Sequence, residues 1–146
     1  ARAGPEEVVA EICKGMHLLV AEDNDLNYEV ASELLAMQGI SCDRAENGAA
    51  CVERFQHAPE GTYNAILMDM QMPVMDGVQA TETIRHMTRR DAVTIPIIAM
   101  TANAFQQDVA SCMSAGMNGH LAKPFDLAKL LPMLADACRR QVRTEK

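Results

Sequence analysis

Residues 63–77 read YNAILMDMQMPVMDG. Ala65, Ile66, Leu67 and Met68 form a short apolar run. It closes on the carboxylate of Asp69 and then on a loop that carries Pro73, Asp76 and Gly77. A run of this length between turn residues fits a strand buried on both faces. Asp69 then stands where a buried strand stops, and open α/β sheets bind ligands just beyond the carboxyl ends of their strands. Taken alone, the stretch leaves two readings open: a site carboxylate, or a residue that merely caps the loop or the next helix. The other strand ends decide between them.

Upstream, residues 17–21 (HLLVA) read as a second buried strand that runs into Glu22, Asp23, Asn24 and Asp25. Asp25 is placed to cap a helix whose apolar positions Leu26, Val30, Leu34 and Met37 follow a helical spacing. Gly39 ends it. A weaker strand over 40–45 follows, then a helix capped by Asn47 with Val52 and Phe55 on its inner face. Downstream of Gly77 a helix carries Val78, Thr81, Ile84 and Met87, and residues 89–91 form a polar connection. Residues 95–100 read as a strand ending in Thr101, with Pro96 tolerable near its start. A helix over 105–115 stops at Gly116. Residues 119–122 form a brief strand that ends in Lys123 and Pro124. Asp126 caps a last helix with Leu127, Leu130, Leu131, Leu134 and Cys138 inward. Pro132 falls past the first turn, which predicts a kink or a start later than Leu127. Residues 1–15, with a short helix over 6–14, read as a linker or N-terminal extension. The domain is expected over 16–141, with a tail at 142–146. Repeated strand–helix alternation argues a parallel sheet with helices on both faces and right-handed crossovers.

Bulk properties narrow the function classes. A chain of 146 residues that is 49% hydrophobic fits one folded domain rather than a disordered segment. Eleven methionines and no tryptophan indicate an aliphatic, thioether-rich core. The net charge is −7, and no basic run exceeds Arg89-Arg90 and Arg139-Arg140, so direct nucleic-acid binding is not expected. No apolar run reaches transmembrane length, and the N-terminus lacks a signal pattern. A cytoplasmic module without direct membrane contact is the expectation. The five cysteines include no C-x-x-C, which argues against a disulfide framework or a zinc site.

Buried parallel strands put their carboxyl ends on one edge. That edge gathers Glu22 and Asp23, Asp69, Thr101 and Lys123. Each residue alone has an ordinary structural explanation: a cap, a strand-end hydroxyl, a solvated loop lysine. All of them together, at four strand ends, point to a site. Three clustered carboxylates require a raised pKa or a cation, and an all-oxygen set suits a hard ion such as Mg²⁺. With the metal bound, one carboxylate can act as a nucleophile toward phosphorus. Lys123 and the Thr101 hydroxyl would stabilise the phosphoryl oxygens.

The chain resembles the receiver domain of two-component response regulators. The matching pieces are LLVAEDN (18–24), LMDMQMPVMDG (67–77), IIAMTANA (97–104) and LAKPF (121–125), in the family's order and spacing. The wording around MDMQMPVMDG and IIAMTANAF is most similar to receivers of hybrid sensor histidine kinases. The resemblance implies a flavodoxin-like (βα)5 three-layer sandwich with parallel sheet order 2-1-3-4-5. It implies Asp69 as phospho-acceptor, with Glu22, Asp23, Asp69 and the Gln71 backbone carbonyl as Mg²⁺ ligands. Thr101 and Lys123 would sense the phosphate, and the small Ala102 would leave it accessible. Lys123-Pro124 matches a junction that is often cis, and Gln71 and Asn103 would tune dephosphorylation. Where the family carries an aromatic switch residue, this chain has His120. The partner implied is a histidine kinase or a histidine phosphotransfer domain, and a homodimer is compatible with the family.

Other function classes remain to be weighed. A Mg²⁺-dependent phosphatase with an aspartate nucleophile would want a second carboxylate two residues on, where Gln71 stands. A flavin module would want a phosphate loop where Glu22 and Asp23 stand. A receiver used only for docking would not need the intact acidic set. The domain is not a conventional enzyme on this reading, although a hybrid protein containing it would be a histidine kinase.

Overall fold

The computed structural model describes residues 5–101, 110, 113–122 and 126–144. Strands β1 (His17–Ala21), β2 (Ser41–Ala45), β3 (Ala65–Asp69), β4 (Ile97–Thr101) and β5 (Gly119–Ala122) pair in parallel in the order β2-β1-β3-β4-β5. All five residues of β3 and all five of β4 are buried. Helices α1 (Pro5–Cys13), α2 (Asp25–Met37) and α6 (Leu127–Thr144) contribute to one side, and α3 (Gly48–His57), α4 (Gly77–Arg85) and α5 (Asp91–Thr94) to the other.

Alternate strand residues supply the two faces. Leu19, Ile66, Met68 and Ile97 pack with Cys51, Phe55, Ala80 and Ile84. Leu18, Val20, Leu67 and Ile98 pack with Leu35, Leu130 and Leu134, and Cys13 joins them from α1. This is the expected three-layer sandwich, and two apolar layers clamp the sheet whose upper edge carries the acidic residues.

Several local expectations change. The inward face of α2 is Ala31 and Leu35, not the stripe Leu26, Val30, Leu34 and Met37; Leu26, Val30 and Met37 are 67%, 45% and 78% exposed. Apolar residues line two sides of this helix, and the side with the small Ala31 goes inward. The helix is capped by Asn24, not Asp25: the Asn24 side chain accepts from the Asn27 N–H at 2.9 Å, and Asp25 is already helical. A short helix over Asp91–Thr94 begins at the end of the 89–91 connection read as polar. The last helix starts at Leu127, which removes the later start, and it continues past Pro132. Pro132 and Ala128, the residue four before it, are both exposed, so water can serve the carbonyl that proline leaves unpaired. Asp126 caps this helix as expected, accepting from the Ala128 N–H at 3.0 Å. Of the helix expected over 105–115, residues 113–115 are helical and most of the remainder lies outside the described residues, as does the Cys138 side chain.

Candidate functional site

The parallel register of β1 and β3 matches Ala21 with Met68. The next residues, Glu22 and Asp69, therefore emerge side by side at the carboxyl edge. One carboxylate oxygen from each of Glu22, Asp23 and Asp69 lies within 4.8 Å of the other two. Glu22 and Asp69 are each 2% exposed, while Asp23 faces solvent. Two buried carboxylates beside a third repel unless a proton or cation joins them. The donor set is oxygen throughout, with one ligand open to water. It fits a hard divalent ion that keeps part of its hydration shell.

The surrounding backbone fixes this geometry. The Glu22 N–H donates to the Ala45 carbonyl at 3.0 Å, and Glu22 Oε1 accepts from the Asn24 N–H at 3.2 Å and Asn27 Nδ2 at 3.4 Å. Asn24 therefore serves twice, capping α2 and holding Glu22. On the other strand, Asp69 Oδ1 accepts from the Gln71 N–H at 3.1 Å, and the Met70 N–H continues the ladder to the Met100 carbonyl at 3.0 Å. Arg44, which no sequence pattern singles out, donates to the carbonyls of both Glu22 and Asp23.

Close approaches pin the loop after Asp69. The Gly48 N–H donates to the Met75 carbonyl at 3.1 Å. Gly77 lies so near the end of β3 that an added Cβ would stand 2.5 Å from the Asp69 carbonyl oxygen. Between these pins, Val74 takes φ +70 and the Met75 N–H donates to the Pro73 carbonyl at 2.7 Å, a γ-turn geometry that β-branched residues rarely adopt. The Asp76 capping box then starts α4.

Thr101 ends β4 one residue beyond Met100, the partner of Asp69, and is 5% exposed. The structure thus brings Glu22, Asp23 and Asp69 together and puts Thr101 at the same sheet edge. Gln71 contributes its N–H to Asp69, and its side chain is exposed. His120 is exposed on β5, opposite Ala99. Ala102, Asn103, Lys123 and Pro124 lie outside the described residues.

Residues 18–135 match the family described as "Response regulator receiver domain". The chain belongs to this receiver family. Its relatives include the peroxide stress-activated histidine kinase mak1 of Schizosaccharomyces pombe, 41% identical over 80% of this chain. That match covers 7% of the kinase, and the chain spans only 6% to 19% of the first curated relatives it matches. Among solved structures, the receiver domain of sensor histidine kinase PA1611 from Pseudomonas aeruginosa PAO1 is 39% identical with a TM-score of 0.74, covering 84% of this chain and 96% of that one. It carries a magnesium ion coordinated in its active-site cleft. The receiver of the Saccharomyces cerevisiae response regulator Ssk1, solved with the histidine phosphotransfer protein Ypd1, is 28% identical with a TM-score of 0.73, covering 86% of this chain and 90% of that chain. These receivers share the flavodoxin-like fold with sheet order 2-1-3-4-5.

Proposed function

We propose that this receiver domain accepts a phosphoryl group on Asp69 from a phosphohistidine, as one step of a two-component phosphorelay. The carrying observation is the triad of carboxylate oxygens from Glu22, Asp23 and Asp69 within 4.8 Å, two of the three residues buried. Glu22, Asp23, Asp69 and the Gln71 carbonyl would hold Mg²⁺, which supplies charge neutralisation for the incoming phosphoryl oxygens. The Gln71 N–H orients the Asp69 carboxylate for in-line attack. An oxygen of Asp69 forms the new O–P bond as the N–P bond of the donor breaks. The electron pair returns to the donor imidazole, which takes up a proton. The Thr101 hydroxyl and Lys123 would bind phosphoryl oxygens and so bias the domain toward its signalling state. His120 takes the place of the family's switch aromatic, and Asn103 and Gln71 would set the lifetime of the acyl phosphate.

The donor is a histidine kinase or a histidine phosphotransfer domain. The exposed Leu26, Val30 and Met37 of α2 support this, because that helix begins immediately after the acidic pair. The Ssk1 receiver, solved with such a phosphotransfer protein, supports the same partner class. We assign the domain to the cytoplasm, together with its phosphohistidine donor; among the described residues no helix is long and apolar enough to cross a membrane.

Incubation with Mg²⁺ and a small acyl-phosphate donor, followed by intact mass, tests this. Wild type should gain one phosphate, and neither Asp69→Asn nor a Mg²⁺-free sample should. An adduct that persists in Asp69→Asn would mean that another residue is the acceptor.

A further inference from the structure

We infer that Arg44 is a positioning residue for the metal-binding carboxylates, acting on their backbone rather than on their side chains. The inference rests on Glu22, Asp23 and Asp69 being the Mg²⁺ site. Arg44 lies on β2 in register with Val20, two residues before Glu22. Its Nε donates to the Glu22 carbonyl at 3.1 Å and its Nη2 to the Asp23 carbonyl at 3.2 Å. Its Nη1 pairs with Asp25 Oδ1 at 2.7 Å, and its Cζ stands 5.2 Å from the Tyr28 ring centroid. All three guanidinium nitrogens are thus spent on residues 22–25, the turn that joins β1 to α2 and the first residue of that helix.

The chemistry of these contacts is selective. An arginine paired with the Glu22 or Asp23 carboxylate would occupy oxygens that a cation needs. Arg44 instead takes the two carbonyls and the carboxylate of Asp25, which is no member of the triad. The Glu22 main chain is held on both sides of its Cα, by Arg44 at its carbonyl and by the Ala45 carbonyl at its N–H. A planar fork spreads fixed N–H donors over three nitrogens, one for each of the two carbonyls and the carboxylate, whereas an ammonium's three donors share a single nitrogen at the end of a flexible stem. The stem is held as well: the Arg44 side chain is only 21% exposed and lies against Tyr28. Burial, then the hydrogen bond with Cys42, push the Tyr28 phenol up to about 12, so a neutral ring lies under the cation.

Two effects on metal affinity have opposite signs, which makes the role testable. As a charge alone, Arg44 repels Mg²⁺, and its removal would tighten binding. As a positioning group, it holds the ligand backbone, and its removal weakens binding; outer-shell partners of metal ligands typically contribute about 10–100-fold in affinity. Calorimetric titration of Mg²⁺ into wild type, Arg44→Met and Arg44→Lys separates the two, with thermal unfolding in EDTA as the check on folding. Arg44→Met should bind Mg²⁺ about ten-fold more weakly, and Arg44→Lys should be weakened too, although its charge is kept. In phosphorylation assays the Mg²⁺ requirement should shift to higher concentration, with the rate at saturating metal retained. A folded Arg44→Met that binds Mg²⁺ as tightly as wild type, or more tightly, overturns the inference. Should that variant not fold, Arg44→Lys decides by the same criterion. Wild type that binds no Mg²⁺ would instead remove the underlying reading of the site.

Discussion

Helices α2 and α4 follow the two strand ends that present the acidic cluster, yet they use their apolar residues in opposite ways. Each begins with an Asx cap that accepts from the backbone three residues on, Asn24 from Asn27 and Asp76 from Gln79. The nine residues of α4 bury Gly77, Ala80, Thr81 and Ile84 against the sheet. The thirteen of α2 bury only Ala31 and Leu35 and leave Leu26, Val30 and Met37 in water. One helix is therefore part of the scaffold that fixes Asp69. The other is held by a narrow seam and presents an apolar surface beside the same site. On the proposed function, that surface is where the phosphohistidine donor docks.

The largest effect should come from emptying the buried side. Ile84 is 0% exposed among Phe55, Ala80 and Ile97. Ile84→Ala should cost about 2–5 kcal/mol in urea unfolding, the range for large-to-small changes in a packed core. Were the loss no greater than for Val30→Ser on α2, the contrast between the two helices would collapse.

A smaller loss is expected where α4 touches the acceptor strand. At the first position of a helix, Gly→Ala on its own favours the helix by up to about 1 kcal/mol. At Gly77 the new Cβ would meet the Asp69 carbonyl oxygen at 2.5 Å, with Met68 Cγ at 3.0 Å and Met70 Cα at 3.1 Å. Two of these three are backbone atoms, so the main chain must move. Gly77→Ala should destabilise by about 1–3 kcal/mol and slow phosphorylation from a small acyl-phosphate donor, because the displaced backbone carries Asp69. A stabilised variant would show that the contact yields readily.

The same contrast explains what the sequence reveals and what it conceals. The apolar run 65–68 closed by Asp69 marks its strand to the residue, and Asn47 marks its helix, because a buried strand and a side-chain cap are each set by local chemistry. Sidedness is not local. Leu26, Val30 and Met37 keep helical spacing as faithfully as Ala31 and Leu35 do, and only the sheet decides which stripe goes inward. The cap of α2 is likewise ambiguous in DND, residues 23–25, until the Asn24 side chain is seen to accept from the Asn27 N–H. Arg44 leaves no trace at all, since an arginine on the polar strand SCDRA ordinarily points into solvent, and its carbonyl partners carry no side-chain signature.

The smallest effect on stability should accompany a large one on signalling. Leu26 and Val30 are 67% and 45% exposed, one helical turn apart on the outer side of α2. Replacing both by Ser removes little buried area, so the unfolding free energy should stay within about 0.5 kcal/mol per site of wild type, as for ordinary surface changes. Phosphorylation by a small acyl phosphate, which needs only the carboxylates and metal, should keep its rate. Transfer from a phosphorylated histidine phosphotransfer protein needs a docked partner and should slow by about ten-fold or more, the consequence of losing about 1.4 kcal/mol of contact. The two donors make the outcome decisive: equal slowing with both would place the damage in the site itself, and no slowing with the protein donor would remove α2 from the docking surface.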